Sequence, residues 1–234
     1  MNLKDQLKEK QHAKVRSILE TAGRLGDKEG IEVYVVGGFV RDLIMGKPLN
    51  DIDIMTVGDG IPFARKLADE LVVKKIVPFK KFGTAIIPNK SVQIEVATAR
   101  TESYDDDSRK PAEVVYTDLK GDLLRRDFTI NAMAMDIRHE AFGELTDPFG
   151  GIADIEKKIL RTPLDPDETF SEDPLRMMRA AYFASKLGFK IEKECRASIK
   201  RQAHRIDIVS WERIRDEFIK ILKTKKPSVG LVIL

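Results

Sequence analysis

The stretch Glu32–Met55, EVYVVGGFVRDLIMGKPLNDIDIM, decides the fold. EVYVV (32–36) is a short β-rich run, and the Gly37-Gly38 pair follows it. FVRDLIMG (39–46) reads as a brief helix, and DIDIM (51–55) alternates carboxylate with isoleucine. The order is therefore strand, glycine turn, short helix, strand. Side chains alternate along a strand, so Asp51 and Asp53 share one face about 7 Å apart, with Ile52 and Ile54 on the other. Two carboxylates this close repel unless a cation lies between them. Mg²⁺ prefers oxygen ligands and binds through one or two carboxylates plus phosphate oxygens. An exposed strand face gives the same pattern, so the pair is a weak signal by itself.

The neighbouring residues strengthen it. Glycines between a strand and a helix let backbone N–H groups approach an anion, and the helix start adds positive partial charge. Arg41 lies three to four residues into that helix, within reach of the same anion. The glycines do not follow G-x-G-x-x-G, which disfavours a dinucleotide fold. Glu95, in the alternating run VQIEVAT (92–98), is a third carboxylate for a metal site if its strand neighbours Asp51 and Asp53; a cross-strand surface charge is the equal alternative.

Working outward, Leu3 to Leu25 has helical periodicity closed by Gly26 and Gly30, and Pro62 to Leu71 is a second helix with proline in its first turn. Val72–Val77, Thr84–Ile87 and Val92–Ala97 read as strands. Arg100–Pro111 (RTESYDDDSRKP) has no periodicity and reads as a mobile loop. Leu119–Arg126 is expected to be helical, and Asn131–Ile137 and Glu144–Leu145 to be strands. Strands stop after Leu160, and three helices are expected over Ser171–Leu187, Glu192–His204 and Ser210–Lys223. The segment from Pro227 to Leu234 starts like a further helix and has no cap, as if cut within an element. The expected division is a catalytic head over 1–150, including the N-terminal helix, and a helical neck over 151–234.

Two further clusters carry chemistry. Leu124–Ala134 (LRRDFTINAMA) combines Arg126, Asp127 and Asn131; arginine suits a triphosphate and Asp or Asn suits ribose hydroxyls. In EDPLRMMR (172–179), Asp173, Arg176 and Arg179 are spaced to lie along one side of a helix. A carboxylate beside a guanidinium can meet the Watson–Crick edge of cytosine or adenine, and mismatches guanine and uracil. Simple Arg–Asp ion pairs would produce the same spacings.

Composition bounds the rest. The 234 residues are 42% hydrophobic and 34% charged, enough apolar material for a core. One cysteine, Cys195, excludes a disulfide framework and a multi-cysteine zinc site. Three scattered histidines argue against a histidine-built metal site. No stretch approaches a membrane span and the charged N-terminus lacks a signal-peptide core, so a cytoplasmic protein is expected. The net charge of +3 conceals a division: from Lys186 onward 13 Lys/Arg face 6 Asp/Glu, while the remainder is mildly acidic. A basic rear fits an anionic partner such as RNA, or a solvated lysine-rich helix pair.

In order, these stretches resemble the class II tRNA nucleotidyltransferase and bacterial poly(A) polymerase family. The resemblance rests on VVGGFVRDLIMGKPLNDIDIM, EVATARTESYDDDSRKP, LLRRDFTINAMAMD, DPFGGIADIEKKILR, FSEDPLRMMRAAYFASKLGF and IVSWERIRDEFIKIL, and covers about residues 30–234. It implies an α+β fold: a polymerase-β-like nucleotidyltransferase head with a mixed sheet of about five strands, then an all-helical neck. It implies two Mg²⁺ ions held by Asp51 and Asp53, and a triphosphate on Gly37, Gly38 and Arg41. Arg126, Asp127 and Asn131 would contact sugar and phosphates, and Asp173 and Arg176 would select CTP and ATP. The implied reaction is CCA addition to the 3′ end of tRNA, with no protein partner evident. The Arg100–Pro111 loop matches the family's flexible loop, tied to the switch from C to A addition. Close alternatives are the A-adding enzyme of a split system and a poly(A) polymerase. A catalytically silent nucleotide- or RNA-binding fragment and a small-molecule nucleotidyltransferase are more distant.

Overall fold

The computed structural model describes residues 1–89, 92–104 and 111–234. It comprises two compact units, one made of 1–101, 115–123 and 131–149, the other of 102–114, 124–130 and 150–234.

The first unit contains α1 (Ala13–Glu29), β1 (Glu32–Val36), α2 (Gly38–Ile44), β2 (Asp51–Val57), α3 (Gly60–Glu70), β3 (Val77–Phe79), β4 (Thr84–Ile87) and β5 (Gln93–Thr98). β6 (Arg100–Tyr104) and β7 (Pro111–Tyr116) form a separate two-stranded sheet. α4 (Leu119–Leu124), β8 (Ala134–Asp136) and β9 (Leu145–Thr146) follow. The main sheet has seven strands in the order β3-β4-β5-β2-β1-β8-β9, against about five expected, because β3 and β9 are short additions at its two edges. It is mixed: β2 and β5 run parallel, and the other pairs antiparallel. Ile52 and Ile54 of β2, Ala85 and Ile87 of β4, and Ile94 and Val96 of β5 are essentially inaccessible to solvent. Register puts these residues on one face, where their burial anchors the sheet. On the opposite face, Tyr34, Val36, Met55, Ala99, Leu123 and Ala134 make a second buried cluster.

Several expectations shift. The N-terminal segment is two 3₁₀ turns, Gln6–Lys8 and Lys10–His12, ahead of α1, so the helix starts later than its leucine spacing predicts. Gly26 lies inside α1, where a Cβ would come within 2.6 Å of Val33 Cγ2; it permits close packing, and Gly30 at φ +66° ends the helix. The expected strand Val72–Val77 is replaced by the end of α3. Val72 and Val73 donate back to Asp69 and Ala68, and Val72 sits at φ +58°. That helix-end geometry overrides β propensity, and the strand starts only at Val77. In the expected loop, Arg100–Tyr104 and the start of Pro111–Tyr116 are strands, while 105–110 lie outside the described residues.

The second unit contains α5 (Gly151–Lys157), β10 (Ile159–Leu160), α6 (Pro166–Glu172), α7 (Leu175–Leu187), β11 (Lys190–Ile191), α8 (Lys193–Gln202), α9 (Trp211–Leu222) and α10 (Pro227–Leu231). It is helical apart from one two-residue parallel pair, β10 with β11. The single helix expected over Ser171–Leu187 is broken at Asp173, which is extended (φ −139°, ψ 96°) because Pro174 follows it. Phe128 packs edge-to-face on Phe183 at 5.8 Å, and Thr129 Oγ1 donates to Asp154 at 2.6 Å; both tie the 124–130 segment to the helices.

Candidate active site

In the first unit, the parallel pairing of β2 with β5 sets Asp51 opposite Gln93 and Asp53 opposite Glu95. Directly opposed residues share a face, so Asp51, Asp53 and Glu95 all project on the side away from the isoleucines. Neither Asp51 nor Glu95 has a salt-bridge partner among the described residues. Burial holds the Glu95 carboxyl above the ordinary range, with Arg100 pulling weakly the other way. Oxygen-only donors of this kind suit a hard divalent cation. Among the described residues no three or more Asp, Glu, His or Cys groups already form a cage, so a cation here would take its remaining ligands from phosphate or water.

Beside this face, Gly37 adopts φ +69°, ψ −133°, a conformation that disfavours any side chain, and donates its N–H to the Met133 carbonyl at 3.2 Å. The Arg41 guanidinium is buried. Nε and Nη2 each donate to the Asp42 carboxylate at 2.9 Å, and Nη1 donates to Asn131 Oδ1 at 2.5 Å. A Cβ on Gly38 would lie 3.4 Å from Arg41 Nη2, so the glycine leaves the space over the guanidinium open. Asn131 sits in a buried 3₁₀ turn, Thr129–Asn131, rather than at the start of the expected strand.

The second unit holds a chain of ion pairs. Asp127 is buried, accepts from its neighbour's Phe128 N–H at 2.8 Å, and is paired with Arg179 at 2.5 Å. The Arg179 guanidinium lies over the Phe183 ring, 5.3 Å from its centroid. Asp127, Glu217 and Asp173 raise the affinity of Arg179 for its proton against the cost of burial. Arg126 is half-buried.

The expected Asp173–Arg176 pair is not formed, because Asp173 precedes α7 instead of belonging to it. Arg213 of α9 clamps the Asp173 carboxylate at 3.2 and 2.7 Å, and Leu175 N–H donates to Oδ1 at 3.3 Å. Arg176 is buried. Its Nη1 donates to the Thr169 carbonyl and to Glu172 at 3.1 and 2.8 Å, and its Nη2 to the Arg125 carbonyl at 2.6 Å. Counting lone pairs and protons, Asp173 Oδ2 still accepts one bond, and Arg176 keeps Nε–H and one Nη2–H. Two residues were not singled out from sequence, Arg213 and Glu217. Glu217 is 2% exposed and bonded to Lys220 at 2.9 Å. The available signal was the spacing i, i+4 in WERIRDEF, which puts both on one side of α9.

An acid-faced mixed sheet and a helical unit threaded with Arg–Asp pairs are the two features to set beside known proteins. Residues 33–161 match the poly A polymerase head domain model, and the chain belongs to that family. Residues 188–234 match a model described as the probable RNA and SrmB-binding site of polymerase A. The chain is 44% identical over 197 residues to the CCA-adding enzyme of Bacillus pumilus, an alignment covering 84% of this chain and 47% of that one. It is 38% identical to the A-adding tRNA nucleotidyltransferase of Geobacter sulfurreducens, covering 92% of this chain and 24% of that one. A solved CCA-adding enzyme in an apo form superposes with a TM-score of 0.88 at 35% identity, covering 99% of this chain and 55% of that one. The chain thus spans about half the length, or less, of the relatives it matches. No described helix is long and apolar enough to cross a membrane.

Proposed function

We propose that this chain carries the nucleotide-transferring part of a class II CCA-adding enzyme, moving CMP and AMP from CTP and ATP onto the 3′ end of tRNA in the cytoplasm without a nucleic-acid template. The observation that carries this is the in-register trio Asp51, Asp53 and Glu95 on one sheet face. Asp51 and Asp53 would hold two Mg²⁺ ions, with Glu95 on the same sheet face. When bound, Mg²⁺ supplies a Lewis acid that acidifies the RNA 3′-hydroxyl and stabilises the departing pyrophosphate.

The remaining work falls to the chain's own side chains. Gly37 and Gly38 admit the triphosphate closely, and Arg41, locked by Asp42 and Asn131, faces it with a fixed charge. Arg126, Asp127 and Asn131 contact sugar and phosphates. Asp173 Oδ2 accepts from the exocyclic amine of cytosine or adenine. The two remaining N–H groups of Arg176 donate to ring acceptors, and Arg179 supports Asp127. Guanine and uracil present the opposite pattern and leave the buried Arg176 and the half-buried Asp173 without these bonds, which is costly.

The test is addition to a tRNA lacking its 3′ CCA, with each nucleotide supplied separately and together. C and A are expected to be incorporated, and G and U are not. Absence of any incorporation, together with equal binding of all four nucleotides by calorimetry, removes the proposal. The similarity to an A-adding enzyme favours one other reading: incorporation from ATP alone, onto ends already carrying CC, identifies it.

A further inference from the structure

The carboxylate face continues, strand by strand, to an edge of the sheet with a different chemistry. Asp53 is opposite Glu95, Glu95 opposite Ile86, and Ile86 opposite Val77 of the edge strand β3. Residues in register share a face, so Val77 and Phe79 lie on the same side of the sheet as Asp53, three strand spacings or about 14 Å away. Between Glu70 and Glu95 the sequence has five lysines (74, 75, 80, 81 and 90) and no carboxylate. This occurs within the part of the chain whose overall balance is acidic.

Aromatic rings are interleaved with this charge. Phe79, Phe82 and Tyr116 are 44%, 37% and 62% exposed; Lys80 and Lys81 are exposed between the two phenylalanines in sequence, and Lys74 and Lys75 are exposed in the segment leading into β3. Arg100 lies over the Phe82 ring at 5.6 Å and Lys81 at 5.9 Å. Tyr116 leans over the turn at Gly83, where a Cβ would meet its ring at 3.4 Å. Lysines on an edge strand also guard against strand-to-strand aggregation. That role does not account for the rings, since exposed phenylalanines invite the contact that guarding lysines prevent. Lys80 and Lys81, moreover, lie in a 3₁₀ turn beyond the strand. Cations following a backbone with rings for the bases to stack on is the arrangement that holds single-stranded nucleic acid.

We propose that this edge, from Lys74 to Phe82 with Tyr116, is an RNA-binding surface that holds the strand leading to the reacting 3′ end, phosphates on the lysines and bases on the rings. The proposal rests on the reading that the substrate is RNA. It adds a track on the sheet unit, whereas overall charge directs attention to the basic rear.

The test is fluorescence anisotropy of the whole chain with a short single-stranded RNA and with a tRNA lacking its CCA, across a salt series. The K74Q/K75Q/K80Q/K81Q variant is expected to lower affinity at least tenfold. It should also reduce the slope of log K against log salt by up to about 3, at roughly 0.7 per lost phosphate contact. F79S/F82S should weaken binding by about tenfold with the slope unchanged. ATP binding by calorimetry should be unaltered in both, which shows that the fold survives. If both variants bind RNA like the parent, or if poly-glutamate competes as well as RNA and the phenylalanine change has no effect, the surface is overturned. No RNA binding by the parent chain overturns it too. Selective CTP and ATP binding reports separately on the proposed function, so the two readings fail independently.

Discussion

The two units treat charge in opposite ways. The sheet unit gathers Asp51, Asp53 and Glu95 on one face by strand register. The helical unit distributes its acids singly to arginines and a lysine from other turns: Asp127 to Arg179, Asp173 to Arg213, Glu172 to Arg176, Glu217 to Lys220. Like charges left together call for an external cation, and their arrangement costs stability until one arrives. Charges paired internally need no ligand to be held, and what remains for a ligand is the residual geometry of spare lone pairs and protons. On the proposed function, one unit binds charge and the other presents a fixed hydrogen-bonding edge.

The comparison is broken most sharply at Asp53. Asp53→Ala is expected to cut nucleotide incorporation by about 10³-fold, several kcal/mol of barrier, while nucleotide binding by calorimetry changes little. Stability toward urea should change by less than about 1 kcal/mol, because Asp53 lies on the sheet face opposite the isoleucine core. A substantial fall in stability would show that the sheet face is structural. The helical unit should respond the other way. Arg179→Ala removes the guanidinium paired with the buried Asp127 carboxylate and is expected to cost about 3 kcal/mol in urea unfolding, with Arg179→Ala/Asp127→Asn recovering part of it. If the single change is silent, the pair is not what holds the 124–130 segment.

What could be read from the sequence follows the same division. Period-2 alternation is local, so DIDIM gave the strand and the face of both aspartates directly. Register is not local: that β5 pairs with β2 and brings Glu95 opposite Asp53 depends on chain returning from about 40 residues away. In the helical unit, helix periodicity located most elements but not the partners. Asp173 and Arg176 look like an i, i+3 pair until Pro174 takes Asp173 out of the helix, and its true partner, Arg213, is 40 residues downstream. Val72–Val77 failed for a related reason, since a helix end used residues of high β propensity.

A finer distinction lies in how Asp173 is held. Arg213 grips it with two parallel bonds, which fixes the plane of the carboxylate and not merely its charge. Arg213→Lys keeps the charge and loses the plane. It is expected to raise KM for CTP and ATP about tenfold, and to narrow discrimination against UTP, with little change in melting temperature. Equal KM values in parent and variant would show that charge alone suffices, and that the contrast between the units is one of degree.

The smallest effect is expected where a pair of the same kind is exposed. Asp167 links α6 to α8, accepting from Ser198 and from Arg201 at 2.5 and 2.8 Å. Those two partners hold its carboxyl below the ordinary carboxylate range. A depressed pKa in the folded state means the group stabilises fully above its unfolded value, near 3.9, and that this is lost as pH falls through the lower folded value. Asp167→Ala should therefore lower the melting temperature by a small, constant amount from about pH 7 to 5, and the difference should close in acid below about 4. Solvent screens this pair, so its effect should also shrink in high salt, unlike that of Asp127–Arg179. If the two pairs respond alike to salt, burial is not what distinguishes them, and the rigidity ascribed to the proposed base-reading edge loses its physical basis.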